Sequence, residues 1–256
     1  MRAHFRSGPA NAMLCRLILD AAHDGPWNMA LDEVLLESAG VDNVAYLRFY
    51  QWSAPTLSLG YFQQYAEREK HHASIGCPVV RRLSGGGAIL HDREWTYSLA
   101  LPLQSPLGKY PDRTYQLVNQ ATVGTLAELQ IDAGSFCGAE TSPDQEPFLC
   151  FQRRSCGDLV TCGYKIMGSA QRRRHGAILQ HGSLLLGRSH AAPELPGIAE
   201  LTGQSTPTRL IDLWAEQLCR KLQLQACRYA LTQAQVTSAQ QLVCDKFGNA
   251  AWTRRR

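Results

Sequence analysis

Arg81-Arg82-Leu83-Ser84-Gly85-Gly86-Gly87-Ala88-Ile89-Leu90-His91-Asp92 is the stretch that decides how this chain is read. Three consecutive glycines stand between residues 78–83 and 88–90, both of which read as strands. Glycine loses more backbone freedom on folding than any other residue, so a triple run is costly. It makes sense where a ligand must approach the main chain closely. The amides can bind a carbonyl or phosphate oxygen, and the adjacent arginines can supply charge. A glycine-rich hairpin turn is the plainer alternative, and the run alone does not choose between them. It matches neither G-x-x-x-x-G-K-[ST] nor a dinucleotide fingerprint.

Working outward, residues 44–52 alternate, with Tyr46, Arg48 and Tyr50 on one side and Leu47 and Phe49 on the other, as a strand does. Residues 56–61 and 96–101 are further strands, and 67–73 form a short polar helix. Residues 28–38 read as an amphipathic helix capped by Asn28. Asp32 and Glu33 lie near its positive end, and Leu31, Val34 and Leu35 form one face. Residues 111–129 form a long helix, and 141–147 are linker-like. Strands follow at 159–160, 165–170 and 176–186, with Gly163-Tyr164 as the first turn. Residues 208–224 and 231–247 read as helices. Strands in blocks with helices before and after predict an α+β fold with a mainly antiparallel sheet.

Two more segments can carry chemistry. In Gly163-Tyr164-Lys165-Ile166-Met167-Gly168-Ser169-Ala170-Gln171 a lysine sits among apolar and small residues. Partly desolvated, it can donate to an acyl carbonyl or phosphate, or act as a base. A surface lysine on a strand edge is the alternative. In Gln180-His181-Gly182-Ser183-Leu184-Leu185-Leu186, His181 is either a general base or a structural hydrogen-bonder.

In this order the three segments resemble the lipoate–protein ligase A and octanoyltransferase family, whose superfamily also includes biotin–protein ligases. Trp27-Asn28-Met29-Ala30-Leu31-Asp32-Glu33, Leu59-Gly60-Tyr61-Phe62-Gln63, Phe247-Gly248-Asn249 and Trp252 also match, so the resemblance spans about residues 27–252. It implies a mixed sheet wrapped by helices, with the acyl chain in a tunnel under the glycine loop. It implies that Arg82, Ser84, Gly85, Gly86 and Gly87 line the acyl site, with Gly168, Ser169, Ala170 and His181. Lys165 is expected to contact the reacting carbonyl or its leaving group, and His91 matches a position near the pocket.

Two chemistries use such a scaffold. A ligase makes an acyl-adenylate from ATP, whereas a transferase takes an already activated acyl thioester. Phe148-Leu149-Cys150-Phe151 resembles the Cys-Phe pair of the cysteine-dependent octanoyltransferases, in which that cysteine carries the acyl group. The chain also leaves no room after Trp252 for the accessory domain usual in bipartite ligases, so a single catalytic domain over 1–256 is expected. The resemblance therefore implies transfer of octanoyl from acyl carrier protein through Cys150 to a lysine of a lipoyl-accepting protein. Such acceptors are the glycine cleavage H protein or 2-oxoacid dehydrogenase E2 domains. Cys156 and Cys162 are rival nucleophiles. An ATP-dependent lipoate–protein ligase, an amidotransferase between lipoyl domains and a non-enzymatic acyl-binding protein are the alternatives. No cofactor is expected, ATP and Mg entering only with the ligase. Tyr164 and Met167 depart from the family pattern and bear on the tunnel's shape.

Composition narrows the class. Hydrophobic residues make up 45% and charged residues 19%, which argues against long disorder. No apolar run approaches the ~20 residues of a membrane span, and residues 1–11 do not form a secretory signal. A cytoplasmic monomer that binds neither membrane nor nucleic acid is expected. The nine cysteines are odd in number and contain no C-x-x-C pair, so neither a zinc site nor a disulfide framework is expected. Most are expected to be buried small hydrophobes. A net charge of +4 suits an acidic partner. Arg172-Arg173-Arg174 and Arg254-Arg255-Arg256 read as a solvated loop and tail.

Overall fold

A computed structural model describes residues 12–138, 147–205 and 207–256. The linker-like residues 141–146 lie outside that set. In chain order the elements are β1 (Met13–His23), α1 (Gly25–Asp42), β2 (Ala45–Trp52), β3 (Thr56–Leu59), β4 (Val79–Arg81), β5 (Ile89–His91) and β6 (Glu94–Pro102). Then come α2 (Pro106–Lys109), α3 (Pro111–Glu128), β7 (Gly134–Ser135), β8 (Leu159–Thr161), β9 (Tyr164–Arg174) and β10 (Ala177–Leu185). The C-terminal part holds α4 (Ile198–Thr202), α5 (Leu210–Lys221), β11 (Leu224–Arg228), α6 (Gln233–Leu242) and α7 (Ala250–Thr253).

Eight strands form one sheet in the order β11-β1-β2-β6-β10-β9-β8-β7. The joins of β1 to β11 and β2 are parallel, and the remaining joins are antiparallel, so the sheet is mixed and mainly antiparallel as expected. A second sheet, β4-β3-β5, carries the glycine run between β4 and β5. Alternation along β2 fills both sides of the large sheet. Leu47 and Phe49 pack with Val118, Trp214 and Leu218 of α3 and α5, and Tyr46 and Tyr50 pack with Leu31 and Leu35 of α1. A third cluster joins Leu57, Leu59 and Leu90 of the small sheet to Leu149 and Phe151. Among the described residues no helix is long and apolar enough to cross a membrane.

Several local expectations are corrected. Helix α1 begins at Gly25 and is capped by Asp24, whose carboxylate accepts from Trp27 N at 2.9 Å. Asn28 is instead buried inside the helix, where its side chain joins Arg48. The first β8–β9 turn is Cys162–Gly163, both residues having positive φ (48° and 79°), with Tyr164 already paired to Thr161. Two positive-φ residues make the tight hairpin that matches the sheet's twist. Side-chain direction alternates along a strand, and with the strand starting at residue 164, Tyr164 is exposed and Lys165 buried. Residues 222–224 leave the helical reading, because Leu224 begins β11 against Met13. A π-helical turn, Val243–Phe247, follows α6 where continuous helix was expected.

Candidate active site

The segment that begins at Pro147 runs back against the glycine loop. Cys150 N donates to Ala88 O at 2.7 Å, and Ala88 N donates to Phe148 O at 3.2 Å. Leu149 and Phe151 are buried in the third cluster and hold a short 3-10 turn, Cys150–Gln152, in place. Cys150 is left half-buried between these two anchors.

Lys165 arrives from the opposite side as the second residue of β9. Its Nζ lies 3.6 Å from Cys150 Sγ and 3.4 Å from the Cys150 carbonyl oxygen. The same nitrogen pairs with Asp158 Oδ2 at 2.8 Å. Lys165 crosses Gly168, and a β-carbon there would stand 2.7 Å from Lys165 Cε. Glycine at 168 leaves the lysine that space.

These groups open onto one pocket. Cys150, Lys165, Arg82, Gly85, Gly86, His91, Gly168, Ser169, Ala170 and His181 all line it. Met29, Tyr50, Trp52, Ile89 and Phe151 supply apolar wall. A mostly apolar cavity with a thiol and an ammonium side by side suits a hydrocarbon chain ending in a reactive carbonyl. Ser84 and Gly87 do not line it. Gly87 faces an outer pocket with Phe62, Lys70 and Arg153, and Gly86 borders both cavities.

Two buried polar networks hold the walls. In the first, His181 Nε2 lies 2.6 Å from Ser84 Oγ and its Nδ1 lies 3.3 Å from Asp32 Oδ2. Asp32 also accepts from Arg48 at 3.0 Å and from Tyr50 at 3.0 Å. Burial alone would raise the Asp32 carboxyl. The His181 hydrogen bond and the Arg48 charge outweigh burial and hold it below the usual carboxylate value. In the second network, Glu94 Oε1 accepts from Thr96 and Ser183 and lies 2.7 Å from His91 Nδ1. Trp52 stacks on His91 at 3.9 Å and donates to Thr96.

Arg82 braces the loop from below. Its guanidinium donates to Ser58 O at 2.8 Å, and to Gly85 O and Gly87 O at 2.7 Å each. Burial lowers it to about 10, with Cys150 acting in the opposite direction, so it remains a cation at neutral pH. Gly86 takes φ +88°, a conformation that L side chains rarely adopt.

The arginine runs are solvated in part, with Arg173, Arg174, Arg254 and Arg256 exposed, yet several of their side chains are held in place. Arg174 pairs with Glu33, and Arg172 lies over the Tyr61 ring. Arg255 stacks 3.8 Å from Tyr61 and 4.1 Å from Trp252, and Arg256 O accepts from Tyr65 N. Delocalised guanidinium planes on aromatic faces order what composition alone reads as a tail. The cysteine expectation is also corrected. All nine are free, but only Cys15 and Cys219 are buried, while Cys137, Cys156, Cys162, Cys227 and Cys244 are exposed.

Asp158, Glu94 and Trp52 belong to the site's surroundings without an assigned role in the sequence, and so does Asp32, which the sequence places only near a helix end. Asp32 lay in a matched motif and Ser183 in another. Asp158 and Glu94 had no local signal, because an acidic residue beside a strand is ordinary on any surface.

Comparison with known proteins gives the family of the chain and its fold. Residues 24–192 match the lipoyl protein ligase A/B catalytic domain. The octanoyltransferase LipM of Moorella thermoacetica is 36% identical over 79% of this chain and 76% of its own. That of Anoxybacillus flavithermus is 31% identical over 93% and 97%. Among solved structures, a putative lipoate protein ligase from Thermoplasma acidophilum with bound lipoic acid superposes with a TM-score of 0.76. It is 21% identical, covering 94% of this chain and all of that one, and shares the fold. A lipoate-protein ligase A bound with ATP gives a TM-score of 0.76 at 20% identity over 94% and 99%.

Proposed function

The chain belongs to the lipoyl protein ligase A/B catalytic-domain family, and we propose that it is an octanoyltransferase of lipoate biosynthesis acting through a thioester on Cys150. The donor is octanoyl-acyl carrier protein. The acceptor is a lysine of a lipoyl-accepting domain, of the glycine cleavage H protein or E2 kind. The observation that carries this reading is the placement of Cys150 Sγ 3.6 Å from Lys165 Nζ at the wall of an apolar pocket. Relatives at 30–38% identity named octanoyltransferase support the same reaction.

The chemistry follows from the groups present. The Cys150 thiolate attacks the donor's thioester carbonyl, and the carrier thiol leaves with the bonding pair. Octanoyl is then held as a thioester on Sγ. The acceptor amine attacks that carbonyl, the C–S bond breaks, and amide and free thiol result. A thioester is already activated, so neither step requires ATP. Lys165 stabilises negative charge on Sγ in both steps, since a charge-assisted contact inside a cavity is stronger than one in water. Gly85 and Gly86 line the same pocket as Cys150, and Arg82 fixes that backbone through the Gly85 and Gly87 carbonyls.

Incubation with octanoyl-acyl carrier protein, without ATP, followed by intact mass measurement tests the reading. One octanoyl group should be gained by the wild type and by neither Cys150→Ala nor Cys150→Ser. A folded wild type that gains nothing, yet exchanges pyrophosphate into ATP with free lipoate, would make it a ligase.

A further inference from the structure

Asp158 is closer to Lys165 than Cys150 is: 2.8 Å from Nζ to Oδ2 against 3.6 Å from Nζ to Sγ. Both members of the ion pair are nearly sealed from solvent, their side chains 4% and 6% exposed. The carboxylate does not depend on the lysine for its position. Ser155 N donates to Oδ2 at 2.8 Å, Asp158 N donates back to Ser155 O at 3.0 Å, and Phe136 N donates to Asp158 O at 2.7 Å. Asp158 is thus a fixed anion to which the lysine comes.

We propose that Asp158 is a positioning residue whose task falls in the second half-reaction: it keeps Lys165 an ammonium while Cys150 is acylated. The proposal rests on the thioester reading above. A buried amine keeps its proton only beside an anion, because an unpaired buried charge is strongly disfavoured. In the free enzyme two groups can play that part. Where Asp158 is absent and the amine is neutral, a proton moved from Sγ to Nζ leaves thiolate and ammonium facing each other, so Cys150 itself can support the lysine's charge. Acylation removes that support, because a thioester sulfur is neutral. Asp158 is then the one ion-pair partner of Lys165 among the described residues. The Phe151 ring, 5.4 Å from Nζ, attracts the cation but carries no charge.

The charge matters when the acyl group leaves. The acceptor nitrogen forms its bond to the carbonyl carbon, and the carbonyl π pair moves onto oxygen. As the carbonyl re-forms, the C–S bond breaks and its pair goes to Sγ. One proton leaves the nitrogen and ends on sulfur, giving amide and free thiol. A neutral Lys165 would offer the departing sulfur a weak dipole where an ammonium offers a full charge. The first half-reaction tolerates loss of Asp158, and the second does not.

Asp158→Asn keeps the shape and an oxygen for the Ser155 N–H but removes the charge. The adduct is formed from octanoyl-acyl carrier protein, isolated, and mixed with a lipoyl domain, with both steps followed by intact mass. Acylation of the variant is expected within about threefold of wild type, while transfer falls about 100-fold, the size usual for one lost electrostatic stabiliser. Asp158→Glu, which restores the charge, should recover most of the transfer rate. Discharge of the Asp158→Asn adduct at the wild-type rate would overturn the proposal, as would equal slowing of both steps. If Asp158→Asn does not fold, Asp158→Ser, which also removes the charge but keeps an oxygen near the Ser155 N–H, carries the same comparison: transfer slowed more than acylation supports the role, and equal slowing of both steps, or of neither, overturns it. A wild type that transfers octanoyl without any Cys150 adduct would remove the covalent reading itself, which is a separate failure.

Discussion

Lys165 lies across Gly168, its Cε 2.7 Å and its Nζ 3.0 Å from where a β-carbon on residue 168 would stand. The nearest obstructing atoms are the far end of a flexible side chain, so Gly168→Ala should fold with little change in melting temperature. The lysine must then give way, and the ammonium leaves its place beside Cys150. Misplacement of a reacting group by ~1 Å is worth up to about 100-fold in rate. Octanoyl transfer by Gly168→Ala should therefore fall by about ten- to 100-fold, and a wild-type rate would show that Lys165 need not stand where it does.

Gly182 gives the opposite balance. A β-carbon there would lie 2.6 Å from Gly168 O and 2.8 Å from Tyr97 Cε1, in the interior of β10 where neighbours on both sides are fixed. Overpacking of a rigid site costs about 1–3 kcal/mol. Gly182→Ala should lower the urea midpoint by a corresponding amount, whatever its effect on activity. An unchanged midpoint would mean that the central sheet yields more readily than its packing implies.

Cys156 and Cys162 are exposed and neither lines the pocket. Cys162 sits in the hairpin turn, where its thiol faces Leu201 O at 3.6 Å. The double substitution Cys156→Ser, Cys162→Ser should retain the octanoyl adduct and at least about half of the transfer rate, surface changes away from a site being nearly neutral. Loss of the adduct in that variant, with Cys150 intact, would move the nucleophile.

Asp32 supplies a pH dependence of stability. Its carboxyl is held below the ordinary value of 3.8 by His181 and Arg48 against the opposing effect of burial. A carboxylate favoured by the folded state stabilises fully above the unfolded value and loses that contribution as pH falls through the lower folded one. Asp32→Asn should cost about 3–5 kcal/mol at pH 7, as for breaking one side of a buried ion pair. Urea titrations repeated at decreasing pH should show the gap between wild type and variant narrowing below about pH 4. A gap that stays constant down to pH 2 would mean that the carboxylate's charge contributes nothing.

The local features of the fold were legible because they are written in short-range pattern. Alternation in residues 45–52 gave β2 and its two faces, and the glycine run marked the turn between β4 and β5. Strand β1 was missed although Leu17 and Ile18 are buried. Its outer half is exposed, so neither strict alternation nor a continuous apolar run announces it. Strand β11 was absorbed into the preceding helix for a related reason. A five-residue segment becomes a strand only when Met13 and its neighbours lie alongside it, which no local preference records.

For the site, sequence determined the residue types that chemistry needs and their order: a cysteine, a lysine, a glycine loop and two histidines. Most of them line one pocket. Only tertiary structure decided what each of these faces. Ser84 turns to His181 across 97 positions of chain, and His181 reaches Asp32 across 149. Arg82 binds the loop's own carbonyls, so its guanidinium braces as well as charges the site. The ion pair of Lys165 with Asp158 arises because a two-residue turn sets the register that points the lysine inward while a separate loop fixes the carboxylate. Residue type sets what a group can do; whether it is charged, and toward what, depends on neighbours that the fold brings from distant parts of the chain and seals away from water.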